Sequence, residues 1–252
     1  MRPTERFSSR ADNYARYRPG YPAAALDLLE ARCGLRPGAR VADVGSGTGI
    51  LTALLLARGA RVAAVEPNDA MRAAAETALA TQPGFVSLKG TAEATTLAAA
   101  SVDLLVAGQA FHWFDVAGAR REALRVVRAG AWGALLWNER PPQASGFFAD
   151  YEALLLRHAP EYAAIRASRA DEAGMRAFFG GAMECARFAN EQRLDYAGLE
   201  GRLLSSSYAP ESGDPQHTPM LAALRALFER HARDGAIVFP YLTLVYFGPL
   251  TA

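Results

Sequence analysis

The sequence predicts an α/β domain built on a mostly parallel sheet, and three observations carry that expectation. A short apolar run at 41–44, interrupted only by Asp43, enters a turn with glycines at alternate positions, Gly45, Gly47 and Gly49, and continues as a helix-like stretch over 50–58. Six more strand-like runs follow, at 61–66, 85–89, 101–108, 131–138, 184–191 and 236–247, with helical or turn-rich segments between them. The run at 101–108 is apolar almost throughout, as a parallel strand covered on both faces must be. With 51% apolar residues in 252, the chain carries enough core material for one large domain. The expected layout is a core of about 23–140 plus 181–195 and 236–250, a helical cap of about 141–180 and 196–220, and an N-terminal lid over 7–22.

Taken in order, residues 7–22 are dense in tyrosine and arginine, too polar for a core and too aromatic for a disordered tail, so they are expected to fold over something. Pro22 at a first helical position opens a helix with Leu26, Leu29 and Cys33 on one face, closed by Gly34. Arg36-Pro-Gly38 turns the chain into the first strand. After Glu66-Pro67, Asn68 or Asp69 can cap a helix running to about Ala80, with Met71 one turn in. The strand at 85–89 ends in Gly90-Thr-Ala-Glu93. Gln109-Ala-Phe-His-Trp-Phe-Asp115 follows the fourth strand at its carboxyl end, where open α/β sheets bind ligands, and Asp115 can cap the next helix. Asn138, Glu139 and Arg140 leave the fifth strand at the same edge. Residues 147–180 and 196–206 read as helical insertions, and 221–232 as a last amphipathic helix before the final strand.

Glycines in a strand-to-helix turn allow positive φ and close ligand approach, and the helix that follows offers unpaired N–H groups. A dinucleotide fold places its third glycine where this chain has Ile50, so a nicotinamide cofactor fits poorly. Glu66 lies at about the interval where an acidic residue meets a ribose diol. Adenosine without a pyrophosphate fits both facts. The run Asp43-Val-Gly-Ser-Gly-Thr-Gly49 with Glu66 resembles the first motif and second-strand acid of the class I S-adenosylmethionine-dependent methyltransferases, in particular the methyltransferase type 11 subgroup that includes trans-aconitate methyltransferase-like proteins. Three other stretches are similar to that subgroup: Tyr17-Arg-Pro-Gly-Tyr-Pro22, Ala110-Phe-His-Trp-Phe114, and Leu204-Ser-Ser-Ser-Tyr-Ala-Pro210 together with Val238-Phe-Pro-Tyr-Leu-Thr243.

The resemblance implies a Rossmann-like, seven-stranded sheet with an antiparallel last strand, helices on both faces and a helical cap. It also implies S-adenosylmethionine as cofactor and S-adenosylhomocysteine as product. The turn residues Asp43, Gly45, Ser46, Gly47, Thr48 and Gly49 would cradle the cofactor, Glu66 would hold its ribose, and Pro67, Asn68 and Met71 would border the adenine. Thr91, Ala92 and Glu93 stand where relatives contact the adenine amino group; many carry Asp in place of Ala92, so a backbone contact would substitute. Tyr17 and Arg18 would close over the site from the lid, and Gln109, Ala110 and Phe111 would line it from the fourth strand. Met71 reads equally as core filling, and Trp113 and Phe114 as a hydrophobic lid.

Methyl transfer from a sulfonium needs alignment and exclusion of water rather than a protein nucleophile. A carboxylate acceptor is already ionised and needs only positioning, to which Arg18 or Arg140 would contribute. A phenol or amine would be helped by a base, with His112 first and Glu139 second, while Tyr208 in the cap would orient the substrate. No Ser-His-Asp order with an elbow motif occurs, and Cys33 and Cys185 are too isolated for a zinc site, so no metal is expected. A net charge of +1 gives no global field for nucleic acid or an anionic membrane, and no Asp/Asn-Pro-Pro-Tyr/Phe element follows the fourth strand. A polar start and the lack of a long apolar run point to a soluble, cytoplasmic protein, monomer or homodimer, acting on a small molecule. Two other classes remain open: a non-catalytic cofactor-binding regulator or scaffold on the same fold, and a nicotinamide-dependent oxidoreductase.

Overall fold

Alternation along the strands divides the core into two layers. Val41, Leu104, Val106, Ala134 and Leu136 point to one face, where they pack with Leu26, Leu29, Leu51 and Leu55 from two helices. Their neighbours Ala42, Val44, Leu105, Ala107 and Leu135 point to the other face and meet Ala119, Ala123 and Val126 of a third. Burial on both sides explains why these strands read as continuous apolar runs. The structure, a computed structural model, describes residues 10–140, 146–163 and 172–251. Residues 7–9 of the expected lid, and 141–145 and 164–171 of the expected cap, lie outside the described residues.

The strands are β1 (Arg40–Val44), β2 (Arg61–Val65), β3 (Phe85–Leu88), β4 (Val102–Gly108), β5 (Val127–Glu139), β6 (Glu184–Leu194) and β7 (Ile237–Pro249). They form one seven-stranded sheet in the order β3-β2-β1-β4-β5-β7-β6. The pairs from β3 across to β5 are parallel. β7 runs antiparallel to both β5 and β6, so it alone is reversed, as the resemblance implies. The order turns back between β1 and β4, which makes the carboxyl end of these two strands the natural place for a ligand.

The helices are α1 (Ala11–Tyr17), α2 (Ala23–Arg32), α3 (Ile50–Ala57), α4 (Asp69–Leu79), α5 (Val116–Val126), α6 (Phe147–His158), α7 (Glu172–Phe179), α8 (Tyr196–Leu204) and α9 (His217–His231). Asn68 caps α4 by accepting from the Met71 N–H at 3.0 Å. Asp115 caps α5 through Gly118 N–H at 3.0 Å. Pro22 stands one position earlier than expected, as the N-cap of α2 rather than its first residue.

The boundary between core and cap differs from the sequence reading at one helix. Helix α7 falls inside the span expected for the cap, yet Met175, Phe178 and Phe179 pack with α5 on the sheet. Helix α9, the last amphipathic helix of the sequence reading and given there to neither layer, packs on α6 and joins α8 in a separate cluster with Phe147, Tyr151, Leu155, Leu199, Leu203 and Leu224. Periodicity shows that a helix has an apolar face but not which partner receives it. Beneath this cluster lie Phe239 and Tyr241 of β7, in the part of the strand that pairs with β6 alone after β5 has ended at Glu139. A two-stranded ribbon thus carries the sheet into the cap.

Gly49 joins the turn to α3 in the left-handed region, at φ 84°. A Cβ there would stand 2.8 Å from Leu79 Cδ1 and 3.3 Å from Ala75 Cβ of α4. Gly49→Ala should therefore cost roughly 2–4 kcal/mol through backbone strain and overpacking. Chemical denaturation measures it, and a loss below the cost of strain alone would mean that α4 gives way.

Candidate functional site

Each parallel strand ends at the same edge, and the loops leaving β1, β2, β4 and β5 enclose a cavity of about 410 Å³ beneath the cap. That volume lies within the range of small-molecule sites. A smaller recess of about 40 Å³ opens beside it, between the glycine turn and Tyr14, Arg18 and Tyr21.

The glycine turn is held by the end of β2. Gly45 and Ser46 both donate their N–H groups to Val65 O, at 2.8 and 3.1 Å. One Glu66 carboxylate oxygen accepts from Gly47 N–H and the other from Asn68 N–H, each at 2.8 Å. Burial pushes the Glu66 carboxyl up even though these two donors oppose it. At Gly45, φ is 69° and a Cβ would stand 2.5 Å from Ala110 Cβ, so the turn and the loop after β4 meet through a position that only glycine fills.

Three buried polar atoms in this turn have no hydrogen-bond partner among the described residues: Asp43 Oδ1, Ser46 Oγ and Thr48 Oγ1. The other Asp43 oxygen accepts from Thr52 Oγ1 at 2.6 Å. Burial pushes the Asp43 carboxyl up to about 7 despite that bond, with Glu66 adding to the shift. Orphaned buried polar groups call for a ligand or water. A cradle of glycines bearing unmet donors and acceptors, with a buried carboxylate at the end of the next strand, fits the ribose and amino-acid ends of the cofactor implied by the resemblance.

Gln109, directly after β4, adopts φ 56°, a conformation that few residues other than glycine take up. Its side chain donates to Asn138 O at 3.1 Å, tying the β4 and β5 ends together. Asn138 in turn donates to Gly20 O at 3.0 Å and accepts from Asn190 and Thr243, at 3.1 and 2.5 Å. Backbone strain of this kind concentrates at functional sites.

The cavity is lined by the expected residues Arg18, Gly45, Gly47, Glu66, Pro67, Asn68, Met71, Thr91, Ala92, Glu93, Gln109, Ala110, His112, Glu139, Arg140 and Tyr208. Asp43, Ser46 and Thr48 line the recess instead. Three expected residues border neither space. Tyr17 packs its ring against Gly201 of α8, where a Cβ would be 2.2 Å away. Gly49 serves the α3–α4 contact. Phe111 is buried among Phe114, Trp137 and Phe178 in edge-on ring contacts. Arg18 reaches the cavity, and its guanidinium donates to Ser205 Oγ and Ser205 O at 3.0 Å, fastening the lid to the cap. His112 is exposed at the rim, with its ring 4.6 Å from that of Trp113.

Tyr14, Tyr162, Arg202 and Tyr241 are among the lining residues that were not foreseen. Tyr14 lies in the aromatic stretch that marked the lid. The other three come from three separate elements, and no spacing along the chain announces their convergence.

Residues 42–135 match a family described as the methyltransferase domain. Over 136 residues the chain is 43% identical to an uncharacterised methyltransferase of Mycobacterium tuberculosis, covering 53% of this chain and 52% of that protein. It is 30% identical over 135 residues to an uncharacterised methyltransferase of Schizosaccharomyces pombe, covering 53% of each. The matched stretch therefore spans about half the length of these relatives. A solved structure from Anaeromyxobacter dehalogenans, provisionally named a type II methyltransferase, aligns over 93% of this chain and 98% of its own, with 24% identity and a TM-score of 0.66. The YcgJ protein of Bacillus subtilis aligns over 90% and 98%, with 18% identity and a TM-score of 0.56. These likenesses extend the shared fold beyond the methyltransferase domain into the cap.

The state of Asp43 is open to direct measurement. Its carboxyl takes up a proton more readily folded than unfolded, so the stability it contributes is complete below about pH 4 and is lost as pH rises to about 7. Asp43→Asn keeps an acceptor for Thr52 without the charge. It should stabilise the ligand-free protein by roughly 2–4 kcal/mol at pH 8 and by almost nothing near pH 4. Thermal melts across that range test it; a pH-independent difference would place the ionisation elsewhere.

Proposed function

We propose that the chain is an S-adenosylmethionine-dependent methyltransferase acting on a small-molecule acceptor, at a carboxylate, phenol or amine. The observation that carries this reading is the glycine turn with its orphaned Asp43, Ser46 and Thr48 atoms, closed by Glu66 and facing a cavity roofed by the cap. The methyltransferase domain over residues 42–135 supports the same reaction class.

When bound, the cofactor supplies an activated methyl group on a sulfonium. The protein's own task is then binding, alignment and drying. Glu66, braced by Gly47 and Asn68, is positioned to accept from ribose hydroxyls on its remaining lone pairs. Met71 and Pro67 offer an apolar wall beside it, and Ala92, with no side-chain acceptor, leaves adenine recognition in that loop to the backbone. The lid, pinned to the cap through Arg18, and the aromatic loop from Ala110 to Phe114 exclude water from the reacting atoms. His112 at the rim and Glu139 at the β5 end are the residues positioned to take a proton from a phenol or amine; a carboxylate acceptor needs neither.

Calorimetric titration with S-adenosylhomocysteine, with a nicotinamide dinucleotide as control, should show micromolar or tighter binding of the first alone. Glu66→Ala should weaken it by roughly 1–3 kcal/mol. Failure of both cofactors to bind would leave a scaffold on the methyltransferase fold.

If His112 acts as the base, His112→Ala should suppress turnover of a phenol or amine while leaving cofactor affinity nearly unchanged. Equal loss of both would make it part of the cofactor wall instead.

A further inference from the structure

The cap side of the cavity is lined by three guanidinium groups, Arg18, Arg140 and Arg202, and four tyrosines. Arg202 is buried and meets only neutral partners: its Nε donates to Tyr241 Oη at 3.0 Å and one Nη to Ser206 Oγ at 3.3 Å. Arg18 likewise donates to serines and lies against the Tyr14 ring. Among the described residues neither forms an ion pair with a carboxylate. Arg140 is 3.6 Å from Glu152, but that carboxylate also accepts from Tyr162 Oη at 2.5 Å, and Tyr162 itself accepts from Arg140. Among the described residues Arg140 therefore shares its carboxylate partner with a tyrosine, while Arg18 and Arg202 have none within ion-pair distance, although Glu66, Glu93 and Glu139 also line the cavity.

A buried cation without a counter-ion is costly, and a protein keeps such a group where an anion comes to meet it. Tyr208, in the middle of the cluster, reports the resulting field. Burial disfavours its phenolate, yet Arg202, Arg140 and Arg18, with a hydrogen bond from Ser206, outweigh burial and hold the phenol below its ordinary value. The three arginines divide by position. Arg18 lines both the main cavity and the recess of the glycine turn, which places it next to the cofactor cradle. Arg140 and Arg202 line the main cavity but not the recess.

We propose that the acceptor carries an anionic group, a carboxylate or a phosphate, bound by Arg140 and Arg202 beside the Tyr208 hydroxyl, and that Arg202 sets this specificity. The anion-binding pole stands on the arginine geometry; calling its ligand the methyl acceptor rests on the methyltransferase reading above. Trp113, Phe114 and Trp137 on the neighbouring wall favour an acceptor whose anion is attached to an apolar or aromatic body.

The test uses phenylacetate, phenyl phosphate and the neutral isostere phenylacetamide, titrated calorimetrically into the protein with and without saturating S-adenosylhomocysteine. At least one anion should bind about tenfold or more tightly than the amide. Arg202→Gln, and separately Arg140→Gln, should abolish that preference while S-adenosylhomocysteine affinity stays within about twofold of the parent. Preference for phenylacetate alone identifies a carboxylate acceptor, and for phenyl phosphate alone a phosphorylated one. Equal binding of anion and amide by the unaltered protein, or no binding of either anion, overturns the proposal without reliance on any variant. An anion preference that persists when S-adenosylhomocysteine fails to bind would uphold the anion pole and remove the methyltransferase reading; cofactor binding with no anion preference would do the reverse.

Discussion

The site depends on the way the end of β2 grips the turn that leaves β1. Val65 offers one carbonyl to two successive N–H groups of the turn, and the Glu66 carboxylate takes a third from Gly47. These bonds fix the turn in a conformation that needs positive φ at Gly45, Gly47 and Gly49, which no run of larger residues would adopt. They also leave the Asp43, Ser46 and Thr48 side chains facing inward with polar atoms unmet. Parallel pairing of β1 with both β2 and β4 brings the loop after β4 onto the same turn, where Ala110 packs against Gly45. The cradle is thus a consequence of sheet register as much as of its own sequence.

The site has an acidic end, with Glu66 in the cavity and Asp43 in the recess beside it, and a basic end, with Arg18, Arg140 and Arg202. The Asp43–Glu66 end is buried, and burial raises the cost of its charge, so both carboxyls hold protons more tightly than free ones do. The cap end presents guanidinium groups that remain charged under any physiological condition. On the proposed function, the ribose hydroxyls of the cofactor would satisfy the first end and an anionic acceptor the second. The ligand-free protein carries both costs at once. Ligands that relieve them should bind with some of the free energy that folding left unspent.

The cap is continuous with the sheet. β6 and β7 go on pairing after β5 has stopped, and the free ribbon carries Phe239 and Tyr241 under α8. Tyr241 holds the Arg202 guanidinium, and Gln192 of β6 accepts from the Tyr241 hydroxyl at 2.8 Å and donates to Tyr17 O at 3.1 Å. One chain of hydrogen bonds therefore runs from the lid through the ribbon to the cap arginine. The lid, the antiparallel strand and the arginine cluster form a single connected unit, with α1 packed on α8 and also touching α4 of the core.

What was legible in the sequence divides along a physical line. The glycine turn, Glu66, the Asn68 and Asp115 caps and the seven strand runs are local signals, set by φ preferences, side-chain reach and periodicity over a few residues, and they stand where they were expected. The packing of α7 on the core and of α9 in the cap was not legible, because an apolar helix face names no partner. Tyr17 and Phe111 read as cavity residues by position in a motif, yet ring packing drew one to Gly201 and the other into an aromatic cluster. Arg202 is the most instructive case. On a helix of polar and apolar residues it reads as one more solvated cation, and only the antiparallel return of β7 places Tyr241 and Phe239 against it and removes it from water. Its burial is set by long-range topology, as is the positive end of the cavity that it helps to form.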